Sequence, residues 1–209
     1  SSGASWAASS LSFTTAAAPA TITQSAATNV LTTSATLPAT VTSTGGNAPT
    51  VTVFYGTSDG GTNSAAWANS ANLGTQTGSA AANVSGLSPN TTYHFRARAV
   101  NTSGTTWTAA SGSFTTLAIT APSITTLSPL SITGLTANLQ GQVTSTGNES
   151  PTVTLFYGLT DGGTNPAAWT SNVNCGVKSS TFGQFISGLT GSTTYSYRFR
   201  ATNSAGTSW

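Results

Sequence analysis

The chain repeats itself at the size of a domain. The stretch PTVTVFYGTSDGGTNSAAWANSANLG begins at Pro49, and PTVTLFYGLTDGGTNPAAWTSNVNCG begins at Pro151. The offset of 102 residues (151 − 49) also carries Trp67 to Trp169, Tyr93 to Tyr195 and Trp107 to Trp209. One step towards the N-terminus, Trp6 and Phe13 correspond to Trp107 and Phe114 at an offset of 101 (114 − 13). A period of about 100 residues is the length of a small domain, so each copy must close a core of its own. The sequence divides into a first domain at 19–116, a second at 121–209, and a leading segment, 1–15, that matches the closing strand of a repeat.

Each copy reads as all-β. In SATLPATVTS, Ala35, Leu37, Ala39 and Val41 alternate with polar residues; in TYHFRARAVN, Tyr93, Phe95, Ala97 and Ala99 face one way and His94, Arg96 and Arg98 the other. Period two means one buried and one wet face, and about seven such strands per 100 residues suggest two packed sheets. NSAAWANSA has room for one turn of helix. Only 4% of residues are charged and 37% are hydrophobic, with 5 Trp, 5 Tyr and 8 Phe. Such a chain folds and covers its surface with Thr, Ser and Asn. Five basic residues split over two copies make no patch for phosphates, so nucleic acid is excluded as a partner. No run of about 18 apolar residues exists, which excludes membrane insertion by a helix. The single cysteine gives no disulfide framework or metal cluster and leaves the redox compartment open.

GLSPNTTYHFRARAVNTSGTTW and GLTGSTTYSYRFRATNSAGTSW resemble the last strands of a fibronectin type III domain, whose pattern is L-x-P-x-T-x-Y-x-x-R-x-x-A-x-N-x-x-G. Leu87, Pro89, Thr91, Tyr93, Ala99, Asn101 and Gly104 fit it, as do Leu189, Thr193, Tyr195, Ala201, Asn203 and Gly206. The resemblance implies tandem immunoglobulin-like β-sandwiches. It makes Tyr93 and Tyr195 corner residues whose hydroxyls bond nearby backbone, with Leu87 and Leu189 beside them. Gly191 stands where the family has proline, loosening the second corner. Leu37 and Leu139 replace a family tryptophan, and DGGTNSAAW and DGGTNPAAW read as an added loop. These forms are similar to bacterial surface variants of a fold that hosts many tasks.

Catalysis has little to work with. The acids are Asp59, Glu149 and Asp161, and the one histidine, His94, lies on an outward face with Ser196 at its repeat position. No nucleophile–base–acid set is legible, so the chain reads as non-enzymatic and without cofactor. Each DGGTN segment offers one Asp, one Asn and backbone carbonyls. That falls short of the usual calcium ligand set, so a tight Asp-capped Gly-Gly turn is favoured over a metal site. Trp67 and Trp169 read as covers over their own loops, with a sugar platform or a contact between copies as the other uses. Arg96, Arg98, Arg198 and Arg200 occupy the outer face beside Phe54 and Phe156. Stacking over those rings is favoured over an acidic-ligand site, and a partner copy is a further occupant. Cys175 stands where the first copy has Leu73 and reads as a small buried hydrophobe. Sequons begin at Asn83, Asn90, Asn101 and Asn148 and matter only in a eukaryotic secretory route.

A leading strand without its domain, and a second domain without most of its closing strand, fit two origins. One is a stretch of a long covalent array, favoured by the linkers TTAAAPATIT and TTLAITAPSIT. The other is donor-strand exchange between subunits, which gives an open filament. Either way the expectation is a structural repeat module of an extracellular or cell-surface filament, self-associating head to tail. The alternative is an adhesive or carbohydrate-binding module with glycans as partners and Trp67 and Trp169 as contacts.

Overall fold

The computed structural model describes every residue except Ser1, Ser5, Trp6 and Ala8, and the protein is all-β with antiparallel sheets. It forms two compact units, one of Ser1–Leu87 with Thr91–Thr116 and one of Ser88–Asn90 with Leu117–Trp209. In unit 1 the strands are β1 (Thr21–Gln24), β2 (Ser34–Ser43), β3 (Thr50–Gly56), β4 (Asn69–Thr75), β5 (Ser79–Ser85), β6 (Thr92–Asn101), β7 (Gly104–Trp107) and β8 (Gly112–Thr115). One sheet has the order β1-β2-β5; the other is β4-β3-β6-β7, with β8 also on β6. The alternating side chains of the two sheets meet in one core: Leu37, Ala39 and Val41 from the first, Val51, Val53, Phe95 and Ala97 from the second.

Unit 2 repeats the plan with β9 (Ser123–Leu130), β10 (Thr136–Ser145), β11 (Thr152–Gly158), β12 (Ser171–Val177), β13 (Thr181–Ser187), β14 (Ser196–Asn203) and β15 (Gly206–Ser208). Its sheets are β13-β10-β9 and β12-β11-β14-β15, and Leu139, Val153, Leu155, Ile186 and Phe199 fill the space between.

The units differ at one edge. In unit 1 the closing strand is broken in two: β7 pairs with the end of β6 and β8 with its start. In unit 2, β14 pairs with β11 on one side and, among the described residues, with the short β15 on the other. The leading segment has the closing-strand pattern but joins no sheet among the described residues. Residues 9–15 form no strand, and Leu11 and Phe13 are 97% and 89% exposed. The position of Trp6, which tied this segment to Trp107, lies outside the described residues.

The chain enters each unit through the same clamp. Ala18 N–H donates to Gly45 O (2.8 Å), and Asn101 Nδ2 donates to the carbonyls of Ala18 (2.8 Å) and Thr44 (3.0 Å). In unit 2, Thr120 N–H donates to Gly147 O (2.8 Å), and Asn203 Nδ2 to the carbonyls of Thr120 (2.8 Å) and Thr146 (3.1 Å). The chain leaves unit 1 at Thr116, whose N–H donates to Thr91 O (3.0 Å). Asn101 and Thr91 flank opposite ends of the ten-residue β6, about 30 Å apart at the rise of a strand.

Candidate functional site

The tryptophan loops are closed by their own backbone. Asp59 Oδ1 accepts from Gly61 N–H (2.8 Å) and Asn63 Oδ1 from Ala65 N–H (3.1 Å), which starts a single 3-10 turn, Ser64–Ala66. Trp67 then folds back, and its Nε1 donates to Gly61 O (3.2 Å). Gly60 must lack a side chain, because a Cβ there would sit 2.6 Å from the indole. The second copy is the same: Asp161 with Gly163, Asn165 with Ala167, and Trp169 Nε1 to Gly163 O at 3.3 Å. Trp67 and Trp169 are only 7% and 8% exposed. They therefore present no open ring face to a sugar. The aspartates cap turns, and among the described residues no three His, Cys, Asp or Glu gather as a metal site.

The outer-face arginines split into two kinds. Arg98 lies over Phe54 (4.9 Å to the ring centroid) and Trp107 (5.5 Å), and Arg200 lies over Phe156 (5.0 Å) and Trp209 (5.6 Å). The two rings of each pair also touch each other, at 5.1 Å and 5.0 Å between centroids, so each guanidinium covers a ring pair, and each Nε is buried without a hydrogen-bond partner. The rings supply the compensating attraction, and Phe54 and Phe156 become buried on an outer face. Arg96 does not stack as expected from its spacing. It donates to the carbonyls of Thr108 (2.6 Å) and Ala109 (2.9 Å), fastening the loop between β7 and β8. Arg198, its repeat counterpart, lines an open cleft with Asp161 and Tyr195.

Asp59, His94 and Ser111 lie in one neighbourhood but form no relay. Ser111 Oγ donates directly to Asp59 Oδ1 (2.7 Å). That bond first, then the Gly61 N–H, holds the carboxyl below its usual range, with the charges of His94 and Arg96 adding a little. A hydroxyl that spends its proton on the carboxylate is not primed by a base. Cys175 packs against the second core with its thiol donating to Val173 O (3.6 Å), and burial pushes its pKa up.

The corner residues mark the greatest difference between the units. Tyr93 is 7% exposed and stacks on Phe114 of β8 at 5.7 Å. Tyr195 is half-buried, and its hydroxyl accepts from Thr190 N–H (3.1 Å), which draws its pKa down. Leu87 is buried and Leu189 half-buried. Beside Tyr195 opens a cleft of about 420 Å³ lined by Ala137, Leu139, Ile186, Leu189 and Tyr197. Tyr197 hydroxyl donates to Leu127 O, and burial pushes its pKa up. Asn101 and Asn203 stand out in the sequence only as pattern residues, and the asparagine shared by VNTSG and TNSAG does not show that its amide clamps the arriving chain.

No helix among the described residues is long and apolar enough to cross a membrane. No protein-family model and no curated protein matches the chain. Among solved structures it is similar to the sensor domain of the anti-sigma factor RsgI4 of Pseudobacteroides cellulosolvens. The short form of that domain is 20% identical, with a TM-score of 0.35 over 49% of this chain and 99% of the other. The long form is 20% identical, with a TM-score of 0.36 over 55% of this chain and 100% of the other. A solution structure of the domain gives 22% identity and 0.34 over 48% and 76%. At these identities and scores the likeness carries no argument about what this chain does.

Proposed function

We propose that the chain is a structural repeat module of an extracellular or cell-surface filament, stalk or fibre. It consists of two fibronectin type III-like sandwiches in covalent series and self-associates head to tail, as a covalent array or a donor-strand polymer. The observation that carries this reading is the path through unit 1. The chain enters at the Asn101 clamp and leaves at Thr116, at the other end of β6. A pull along the chain then runs the length of the sheet, and the Asn203 clamp receives the chain again in unit 2. Five basic and three acidic residues leave little charge to repel a neighbouring fibre or to respond to salt. The reading needs no cofactor, nucleic acid or membrane insertion. The adhesive, glycan-binding use is weaker, because both candidate platforms are folded into their own loops.

Electron microscopy of the source surface, with the mass of the fully denatured chain, tests the proposal. Thin unbranched fibres containing this chain are expected. A chain found only as free monomers would overturn the reading. Saturable quenching of tryptophan fluorescence by a glycan, lost in a Trp67→Ala, Trp169→Ala double variant, would put the binding module in its place.

A further inference from the structure

Most strand edges of the two sandwiches are spoiled for pairing with another chain. β1 has four residues and a register shift. β9 has two shifts and carries Pro129. β4 and β12 each shift register beside a glycine at positive φ, Gly74 and Gly176. β7, β8 and β15 have no more than four residues. Shortness, bulges and proline are the usual means of keeping an edge from templating a foreign strand. Among the edge strands of the described residues, only β5 and β13 keep an unbroken register over seven residues, each against the middle strand of its sheet.

These two edges differ in what they show. On its outward face β5 has Ser79, Ala81, Asn83 and Ser85, and Asn83 Oδ1 already accepts from Thr36 Oγ1 (2.9 Å). β13, TFGQFIS, has no charge and no proline, and its outward residues are Thr181, Gly183, Phe185 and Ser187. Phe185 is 62% exposed. Gly183 must stay bare, because a Cβ there would lie 2.5 Å from Gln140 Nε2 and 2.6 Å from Asn138 Oδ1. The backbone groups have a fixed direction. Val143 N–H donates to Ser180 O (3.2 Å), so by alternation residues 182, 184 and 186 face β10, and residues 181, 183, 185 and 187 turn their N–H and C=O groups to the free edge. One of these, Phe185 O, accepts from Gln184 Nε2 (3.0 Å), an exposed bond that an incoming N–H replaces. The nearest charge in sequence, Lys178, precedes the strand and lies with its Nζ over Phe182 (5.8 Å).

We propose that β13 is a self-pairing edge: two copies of the chain join side by side, β13 antiparallel to β13, about a two-fold axis at Gln184. The contact is isologous, and it merges two three-stranded sheets into one of six strands. Thr181 lies opposite Ser187, Phe182 opposite Ile186, Gly183 opposite Phe185, and Gln184 opposite itself. All seven residues of the strand are used. Edge-facing residues meet edge-facing residues throughout, so the four such pairs exchange two backbone hydrogen bonds each. The backbone ladder supplies affinity and the side chains supply register.

Self-complementarity makes the occupant a second copy. In this register the exposed ring of Phe185 meets the bare backbone of Gly183, where an aromatic covers a cross-strand glycine, and on the inner side Phe182 meets Ile186. An axis one residue to either side, at Gly183 or Phe185, pairs five residues and sets the ring against Thr181 or against its own copy. An axis between residues sets edge-facing groups against sheet-facing ones and forms no ladder. Neutrality is the second argument. The strand brings no charge to face itself, and a net charge of +2 per chain gives little repulsion between copies. One strand pair about 23 Å long is a small contact, below the roughly 1,200 Å² of stable complexes, so the dimer is weak. The pairing is lateral and does not depend on the head-to-tail reading.

Sedimentation and disulfide trapping of the whole chain test the edge. Between about 10 μM and about 1 mM the chain should pass from monomer towards dimer. Phe185→Lys, at an exposed position, puts a charge on the edge as natural edges do and should weaken the dimer about tenfold or more. In a Cys175→Ala background, Gln184→Cys should give a 184–184 dimer on mild oxidation, since directly opposed residues that share no hydrogen bonds lie about 4.5 Å apart. A mixture of Thr181→Cys and Ser187→Cys chains should link 181 to 187, and neither chain should link to itself. Adding Phe185→Lys should lower both yields about tenfold. If Phe185→Lys shifts the thermal midpoint of unit 2, Ser187→Lys replaces it as the edge charge. Absence of the 184–184 link, a link indifferent to both lysines, or 181 linking to 181 as readily as to 187 overturns the proposal. So does a chain that stays monomeric at about 1 mM, whatever other strand the edge accepts. Links without fibres at the source leave the edge standing and remove the filament reading; fibres without links do the reverse.

Discussion

Asn101 and Asn203 show how much one side chain can hold. Each amide donates to the carbonyl of the arriving chain and to that of the turn after the second strand of its unit. Each Oδ1 also accepts a backbone N–H, from Ser103 (3.0 Å) in one unit and Ala205 (3.0 Å) in the other. Only an amide offers two donors and an acceptor on one short stem. Replacing Asn101 with alanine strips the partly buried Thr44 carbonyl and the more exposed Ala18 carbonyl of their partner, at an expected cost of about 1–2 kcal/mol. Urea denaturation should show that loss in unit 1 alone, and Asn203→Ala should show it in unit 2 alone. Asn101→Asp should be worse still at neutral pH, since a carboxylate would face those carbonyls. A loss under about 0.5 kcal/mol for Asn101→Ala would mean that water replaces the amide. A weaker effect belongs to Asp59. The Ser111 hydroxyl and the Gly61 N–H depress its folded-state pKa, so its contribution is present above the unfolded value and is lost as pH falls through the folded one. Unit 1 should lose a little stability below about pH 4. That slope should flatten in Asp59→Asn, as denaturation at pH 7 and pH 3 would show.

The elements obey the alternation, and their joints obey local geometry. Gly45 and Gly147 sit at φ +63° and +66°, where a Cβ would lie 1.9 Å from the carbonyl oxygen of Ala18 or Thr120. Gly61, at φ +57°, has open space around it. Gly61→Ala should therefore cost about 1 kcal/mol of backbone strain, whereas Gly45→Ala should cost about 3 kcal/mol because it also dislodges the entering chain. Equal costs in thermal melts would show that the entry is not held at this turn. The faces of β2 and β6 were legible in sequence because burial follows period two: Leu37 and Phe95 are 0% and 1% exposed. The tryptophan loops were legible because they occur twice. The broken closing strand was not, since alternation does not say which half of β6 each piece joins. Nor was the bridge made by Gln24, which donates to Phe95 O (3.2 Å) and accepts from Ala97 N–H (3.0 Å) and Thr108 Oγ1 (2.8 Å). The repeat position holds Thr126, so duplication gave no hint of it. Arg96 and Arg98 look interchangeable at i, i+2 spacing. Only the path of the loop after β7 decides that one meets carbonyls and the other rings.

At the scale of the molecule, duplication of sequence is not duplication of stability. Unit 1 closes its core with Phe114, buried against Tyr93 and Phe95, and adds the four-residue ladder of β8. In unit 2 the matching region leaves Tyr195, Tyr197 and Leu189 half-buried, and Ile132 and Leu135 are 67% and 62% exposed. Burying one phenylalanine is worth about 1.5–3 kcal/mol, and the extra ladder bonds add about 1 kcal/mol each. The chain alone at low concentration should therefore unfold in two steps, unit 2 first, with the midpoints separated by roughly 10 °C or more. Trp67→Phe and Trp169→Phe variants assign the steps, because each tryptophan is sealed inside the loop of one unit. A single transition shared by both tryptophans would mean that the units unfold as one body.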